Sequence, residues 1–278
     1  HREPASYPVF FDSAAQGPLG RYSLLATRPV ASLTRDSRGA LEPHGVLLSG
    51  GGFLDELEAW CRRDQVSRTR TAGDLPFVGG WFVYLGYEIA SEVEPRLELP
   101  RAPAPYSAFA LRVDTLAVHD LATDTLYAIS ERGEERAHGA LIAALEEAAR
   151  QTEPDMPEFP RLARAREDDP ERFLAQVRAT KEYIAAGDIY QANLSRAWQL
   201  ELADPRQASL VYPALRRANP APFPARVCWR DYSIFSSSPE RLLRIEGRDI
   251  ATRPIAGTRA RQASPEGGSP EQDRRDTA

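Results

Sequence analysis

The sequence predicts a mixed fold in which helices and strands alternate and hairpins are frequent. Three observations carry this. Short runs rich in β-branched and aromatic residues are bounded by Gly, Pro, Asn or Asp. Apolar residues recur at helical spacing in segments separate from those runs. Turn-forming residues stand between neighbouring strand-like runs at short intervals.

In order along the chain, Tyr7 to Ser13 and Arg21 to Thr27 read as two strands joined by a turn at Gly17, Pro18 and Gly20. After Ser49-Gly50-Gly51-Gly52, the spacing of Phe53, Leu54, Leu57, Trp60 and Cys61 predicts an amphipathic helix from about Gly52 to Arg63. Phe77 to Ile89 is rich in aromatics, Val and Gly, and reads as a strand. Ala108 to Val118 pairs as a long hairpin with Thr125 to Ser130 across Asp120 to Asp124. Leu141, Ile142 and Leu145 form one face of a helix from about Glu134 to Gln151.

Thr152 to Asp169 carries Pro154, Pro157 and Pro160 among charged residues and shows no periodicity that buries a face, so it reads as a linker between domains 1–151 and 170–278. A helix bearing Phe173, Val177 and Ile184 then stops at Gly187, a residue suited to the left-handed position after a helix end. From Ile189 to Leu200 a strand is expected, with Tyr190, Ala192, Leu194, Trp198 and Leu200 on one face and Gln191, Asn193, Ser195 and Gln199 on the other. The polar row either faces a ligand or is an exposed sheet face. A helix from about Arg206 to Arg217 follows, then strands at Arg226 to Ser236, Arg241 to Ile245 and Asp249 to Ile255, the last two turning at Glu246 and Gly247.

The 278 residues, 42% hydrophobic and 9% aromatic, are enough for one large domain or two ordinary ones. A net charge of -5 provides no basic field for nucleic acid or an anionic membrane, and fits a small-molecule enzyme better. No apolar run approaches the ~20 residues of a membrane helix, and no signal peptide opens the chain. Cys61 and Cys228 lack CxxC spacing and read as reduced core thiols of a cytoplasmic protein. The four histidines lack the i, i+4 spacing of a helical metal site, so no metal ligand is assigned within the chain. His1 opens the sequence and a polar stretch runs to Ala278, so both ends read as cut.

The common nucleophile and phosphate signatures are absent, and Gly50 to Gly52 has nothing basic at phosphate-loop spacing, so it reads as a turn before a helix. Polar groups concentrate instead in three segments: Gly187-Asp188-Ile189-Tyr190-Gln191-Ala192-Asn193-Leu194, Ser236-Ser237-Ser238-Pro239-Glu240 and Arg253-Pro254-Ile255-Ala256-Gly257-Thr258. A glycine before a hydroxyl residue, as in Gly257-Thr258, lets backbone N–H groups approach an anion such as a carboxylate. Glu240 reads either as a general acid or base raised toward working pH by burial, or as a surface partner of Arg241 or Arg253.

These three segments, with FFDSA, GRYSLLA and GGWFVYLGYE in the first half, resemble the anthranilate synthase and aminodeoxychorismate synthase large-subunit family over nearly the whole chain. The resemblance implies an α+β fold with sheets sandwiched by helices, incomplete at its C-terminal end. It also implies chorismate as substrate, dependence on Mg2+ with ligands beyond the end of this chain, and ammonia from a glutamine amidotransferase partner. By similarity Gly257 and Thr258 would contact chorismate, Glu240 would act as acid or base near the ring, and Gln191 and Asn193 would line the site. An effector pocket would be formed by Ser13, beside Asp12, and by Pro222-Phe223-Pro224, which departs from the family's Pro-Tyr-Met and puts feedback inhibition in doubt.

Tyr190-Gln191-Ala192-Asn193-Leu194 resembles the aminodeoxychorismate branch, which leads to 4-aminobenzoate and folate. Ala256 resembles the anthranilate branch, because well-known members of the first branch carry there a lysine whose amine adds to the ring. The first branch is the leading expectation and the second its alternative. A non-catalytic regulatory module of either is the third.

Overall fold

A computed structural model describes residues 5–15, 19–65, 75–101, 103–151 and 159–254. The elements of its first unit, which ends at Pro239, are β1 (Val9–Phe11), β2 (Tyr22–Ala26), β3 (Ala31–Asp36), β4 (Leu41–His44), α1 (Phe53–Arg63), β5 (Gly80–Leu85), α2 (Ala90–Val93), β6 (Tyr106–Val113), β7 (Thr115–Asp120), β8 (Thr125–Ser130), α3 (Glu135–Arg150), β9 (Leu162–Glu167), α4 (Pro170–Ala186), β10 (Trp198–Leu202), α5 (Ala208–Ala218), β11 (Phe223–Trp229) and β12 (Tyr232–Ser238). The second unit starts at Glu240, and its described part is the exposed hairpin of β13 (Arg244–Glu246) and β14 (Asp249–Ala251), which turns at Gly247 with φ +62°.

Two sheets organise the first unit: one of six strands in the order β12-β11-β1-β2-β7-β8, the other of four in the order β4-β3-β6-β5. Alternation along β6 explains how they stack. Phe109, Leu111 and Val113 join Phe82 and meet Val9, Ala26, Leu116 and Val118 of the six-stranded sheet, forming one core between the sheets. Ala108 and Ala110 point the other way and, with Leu33, are covered by Phe53 and Trp60 of α1 in a second core. The mixed helix-and-sheet class expected for the chain is the one found.

Several expected boundaries move. Ala108 to Val118 is not one strand: the chain leaves the four-stranded sheet after Val113 and enters the six-stranded sheet at Thr115, so Asp114 alone marks the crossing. Beside it, residues 27–30 carry the chain from β2 to β3 across the same gap, with Thr27 N–H on Thr115 O (3.2 Å) and Val30 N–H on Arg112 O (2.9 Å). Strands commonly turn such corners where a bend releases the ladder. Arg226 to Ser236 is likewise a hairpin, β11 to β12, whose turn places Arg230 at φ +55°. Phe77 to Ile89 shortens to β5 followed by a helical turn at Tyr87–Ile89. The expected linker contains strand β9, paired with β10. The expected division at 152–169 also does not bound the main sheet, because β11 and β12 from the second half complete a sheet begun by β1 and β2.

The three glycines before α1 form the expected turn, and they show why no phosphate is needed there. The N–H groups of the first two enclose the helix's own Glu56, whose Oε1 accepts from Gly50 N (2.6 Å), Gly51 N (2.7 Å) and Ser49 Oγ (3.0 Å), with Ser49 N within 2.8 Å of Oε2, while Gly52 N donates to Asp55 Oδ2 (3.3 Å). Such concave runs of N–H groups bind anions, and here the anion is internal. The Ser49 N–H first, then that of Gly51, holds the Glu56 carboxyl below its ordinary range.

Candidate functional site

The expected effector-pocket residues are brought together by the pairing of β1 with β11. Asp12 N–H donates to Pro224 O (3.0 Å) and Ala15 N–H to Ala221 O (2.9 Å), so Ser13 lies between two bonds that span Pro222 and Phe223. Ser13 Oγ donates to Tyr22 O (2.7 Å), which ties this corner to β2. Pro224 is buried, whereas Pro222 and Phe223 are half-buried.

Asp12 stands at the centre of the cluster and is buried. Its Oδ1 accepts from Ser13 N (2.8 Å) and Ser23 Oγ (3.2 Å), and its Oδ2 from Tyr212 Oη (3.3 Å) and from Arg216 Nε. Tyr212 and Arg216 lie one turn apart on α5, so both reach the same carboxylate. Tyr212 is fully buried and packs edge-on to Phe10, with ring centroids 6.1 Å apart. Burial, reinforced by the Asp12 charge and hydrogen bond, pushes its hydroxyl well above the ordinary tyrosine range. Nearby Arg226, also buried, donates to Tyr7 O (3.0 Å). Four donors, one of them a guanidinium, thus converge on this one carboxylate and fix its position. Sequence reasoning identified Ser13 and the 222–224 segment but missed Ser23, Tyr212 and Arg216; the i, i+4 spacing of the last two on an amphipathic helix was the available signal.

The expected substrate residues are distributed differently. Gly187 caps α4 with φ +83°, as the sequence predicts, and Asp188 N–H closes the end on Tyr183 O (3.0 Å). Beyond it, 189–197 has no regular structure and is exposed, including Gln191 and Asn193; the strand expected from Ile189 begins only at Trp198. Ser236 to Ser238 end β12, with Ser237 Oγ donating to Asn219 O (2.5 Å). Glu240 opens the second unit and is exposed among the described residues. Ala256, Gly257 and Thr258 lie outside the described residues. Among the described residues no three His, Cys, Asp or Glu side chains come together to hold a metal ion. Among them too, no helix is long and apolar enough to cross a membrane.

Known proteins locate the chain. An anthranilate synthase component I-like protein of Synechocystis is 32% identical over 250 residues, covering 87% of this chain and 48% of that relative. Aminodeoxychorismate synthase component 1 of Bacillus subtilis is 30% identical over 262 residues, covering 87% and 53%. Anthranilate synthase component I from Streptococcus pneumoniae shares the fold, with a TM-score of 0.67 at 22% identity over 84% of this chain and 53% of that one. The chain thus spans about half the length of the curated relatives it matches. Residues 11–275 match the family described as chorismate binding enzyme, and the chain belongs to that family.

Proposed function

We propose that the protein containing this chain is an aminodeoxychorismate synthase component I, aminating chorismate to 4-amino-4-deoxychorismate with ammonia from a glutamine amidotransferase partner and with Mg2+. The observation carrying this reading is that the family match runs through all three polar segments. Within that match, Tyr190-Gln191-Ala192-Asn193-Leu194 resembles the aminodeoxychorismate branch. In this reading Gln191, Asn193, Gly257 and Thr258 hold the substrate and Glu240 moves a proton near the ring. Glu240 would need partial enclosure to do so, because an acid or base works best when its pKa lies near working pH.

One observation favours a second reading. Ala256 supplies no amine to attack the ring, so a route through a covalent lysine intermediate is closed at this position. Direct addition of ammonia followed by loss of pyruvate, the anthranilate synthase reaction, needs no such amine. The test is to incubate the gene product carrying this sequence with chorismate, magnesium and ammonium and to identify the product by mass and fluorescence. Aminodeoxychorismate, convertible to 4-aminobenzoate by an added lyase, is the expected product. Fluorescent anthranilate would transfer the protein to the second reading, and no consumption of chorismate would sink both.

The effector pocket is read here as structural. Asp12, the charge available to meet a ligand ammonium beside Ser13, is already neutralised by Arg216. Tryptophan is therefore expected to leave turnover unchanged.

A further inference from the structure

The corner where two strands pass between the sheets leaves two open cavities, of about 440 and 450 Å3. They share Val30, Asp114 and Glu134 on their walls. The cause is topological: residues 27–30 and Asp114 change sheets side by side, so neither ladder continues through the corner and α3 spans the gap above it. Among the described residues, Asp114 is 6% exposed and its carboxylate receives no hydrogen bond and no ion pair. Only its backbone is engaged, with Asp114 O accepting from Glu131 N (2.8 Å). The sealed polar side-chain atoms without a partner among the described residues are Trp81 Nε1, Thr115 Oγ1, His138 Nδ1 and Arg226 Nε. The Asp114 oxygens are not among them, so they open on the cavity space.

A carboxylate that opens on a cavity and has no protein partner offers its oxygens to a cation entering there. Arg112, next but one along the chain, is committed elsewhere: it donates to both oxygens of Glu131 (2.6 and 2.8 Å) and to Val113 O (2.6 Å), with its guanidinium 4.8 Å from the Trp81 ring centroid. Tyr7, Val30, Ala137 and Leu141 give the first cavity an apolar wall, and exposed Arg28 also borders it. We propose that this corner is a binding site for a small monoamine, whose ammonium sits on Asp114 with Glu134 beside it and whose hydrocarbon lies against Val30 and Leu141. Arg28 disfavours a second positive charge, which selects a monoamine over a diamine. The site shares no residue with the Asp12 cluster or with the three polar segments, and does not rest on the proposed reaction.

The test uses the full gene product and n-butylammonium chloride as probe, followed by thermal unfolding against potassium chloride at equal ionic strength and against n-butanol. The expected result is a saturable rise in Tm with n-butylammonium, absent with either control and weaker with 1,4-diammoniobutane. Asp114→Asn should abolish the rise. Ala137→Leu fills the cavity without touching Asp114, and should raise the apparent Kd at least tenfold; it carries the test if Asp114→Asn does not fold. A rise that fails to saturate, or that persists unchanged in either variant, overturns the proposal, as does no rise beyond the potassium control.

Discussion

Two regions of the first unit are built from the same local ingredients and end in opposite states. Around β6, Phe109, Leu111 and Val113 face one core and Ala108 and Ala110 another, and every one of them is buried. The segment from β9 through α4 to β10 has a well-formed antiparallel pair. It also has an N-cap in which Asp169 accepts from Glu171 N (3.0 Å), Pro170 in the first turn and a left-handed glycine at its end. Yet from Phe159 to Leu202 no described residue is buried, and Leu174, Tyr183, Trp198 and Leu200 are exposed. Caps and ladders define where an element starts and stops, whereas packing of its apolar face supplies most of its stability. The first depends on neighbours in sequence, the second on whatever covers the face.

The largest expected contrast follows directly. Trp60 is fully buried, packs edge-on to Trp81 at 5.7 Å and donates from Nε1 to Asp64 Oδ2 (2.7 Å). Trp60→Ala should cost about 3–5 kcal/mol. Trp198→Ala on exposed β10 should change stability by less than about 0.5 kcal/mol. Urea midpoints of the two variants at pH 7 measure the difference. Equal losses would mean that β10 is covered in solution and that the contrast between the regions is false.

A second measurement sharpens the packed side through pH. The turn N–H groups depress the folded pKa of Glu56 below its ordinary value of 4.5. As pH falls, the unfolded chain therefore takes up the proton first. The stability this group contributes is complete above its unfolded pKa and is lost as pH falls through the folded one. Glu56→Gln should consequently destabilise the protein at pH 7 and progressively less toward pH 3. Urea midpoints at several pH values check this, and a gap independent of pH would show that the turn holds the side chain without preferring its charge.

These contrasts also mark what was legible in the sequence. Periodicity found α1, α3 and α4, and Gly187 was located by the rule that glycine follows a helix end. The crossing at Asp114 was not legible, because Val113 and Thr115 continue the alternation of a single strand while the partner strand changes, and pairing partners are non-local. Leu162 to Glu167 escaped for the opposite reason: Leu-Ala-Arg-Ala-Arg-Glu has little apolar contrast, and becomes a strand through its ladder to β10. Of the candidate site, Ser13 and Pro222 to Pro224 were legible as short segments. Their convergence with Tyr212 and Arg216 depends on a strand pairing across some two hundred residues. The row expected to place Gln191 and Asn193 on one strand face proved an exposed irregular segment, since alternation alone cannot say whether a partner strand is present.

Gly187 offers a smaller test on the open side. A Cβ there would meet nothing within 4 Å, so Gly187→Ala costs only the left-handed backbone at φ +83°. That amounts to about 1–2 kcal/mol for a non-glycine residue. If the α4 region opens independently of the sandwich, the loss should appear as faster hydrogen exchange confined to α4, with the global urea midpoint unchanged. A shift of the whole transition would instead join the two regions into one cooperative unit.

The smallest effect belongs to the Asp12 cluster, where the packed region should tolerate losing one donor. Tyr212→Phe keeps the ring against Phe10 and Phe235 and removes the 3.3 Å bond to Asp12 Oδ2. Because Ser13, Ser23 and Arg216 continue to satisfy the carboxylate, the expected cost is about 0.5–1.5 kcal/mol, the ordinary net value of one hydrogen bond. Urea unfolding measures it, and combining Tyr212→Phe with Arg216→Ala gives the decisive comparison. Losses that add would mean that each donor binds Asp12 independently. A double variant that loses more than the sum would show Asp12 left buried without enough donors, and would make this cluster, rather than the apolar cores alone, part of what fastens α5 to the sheet.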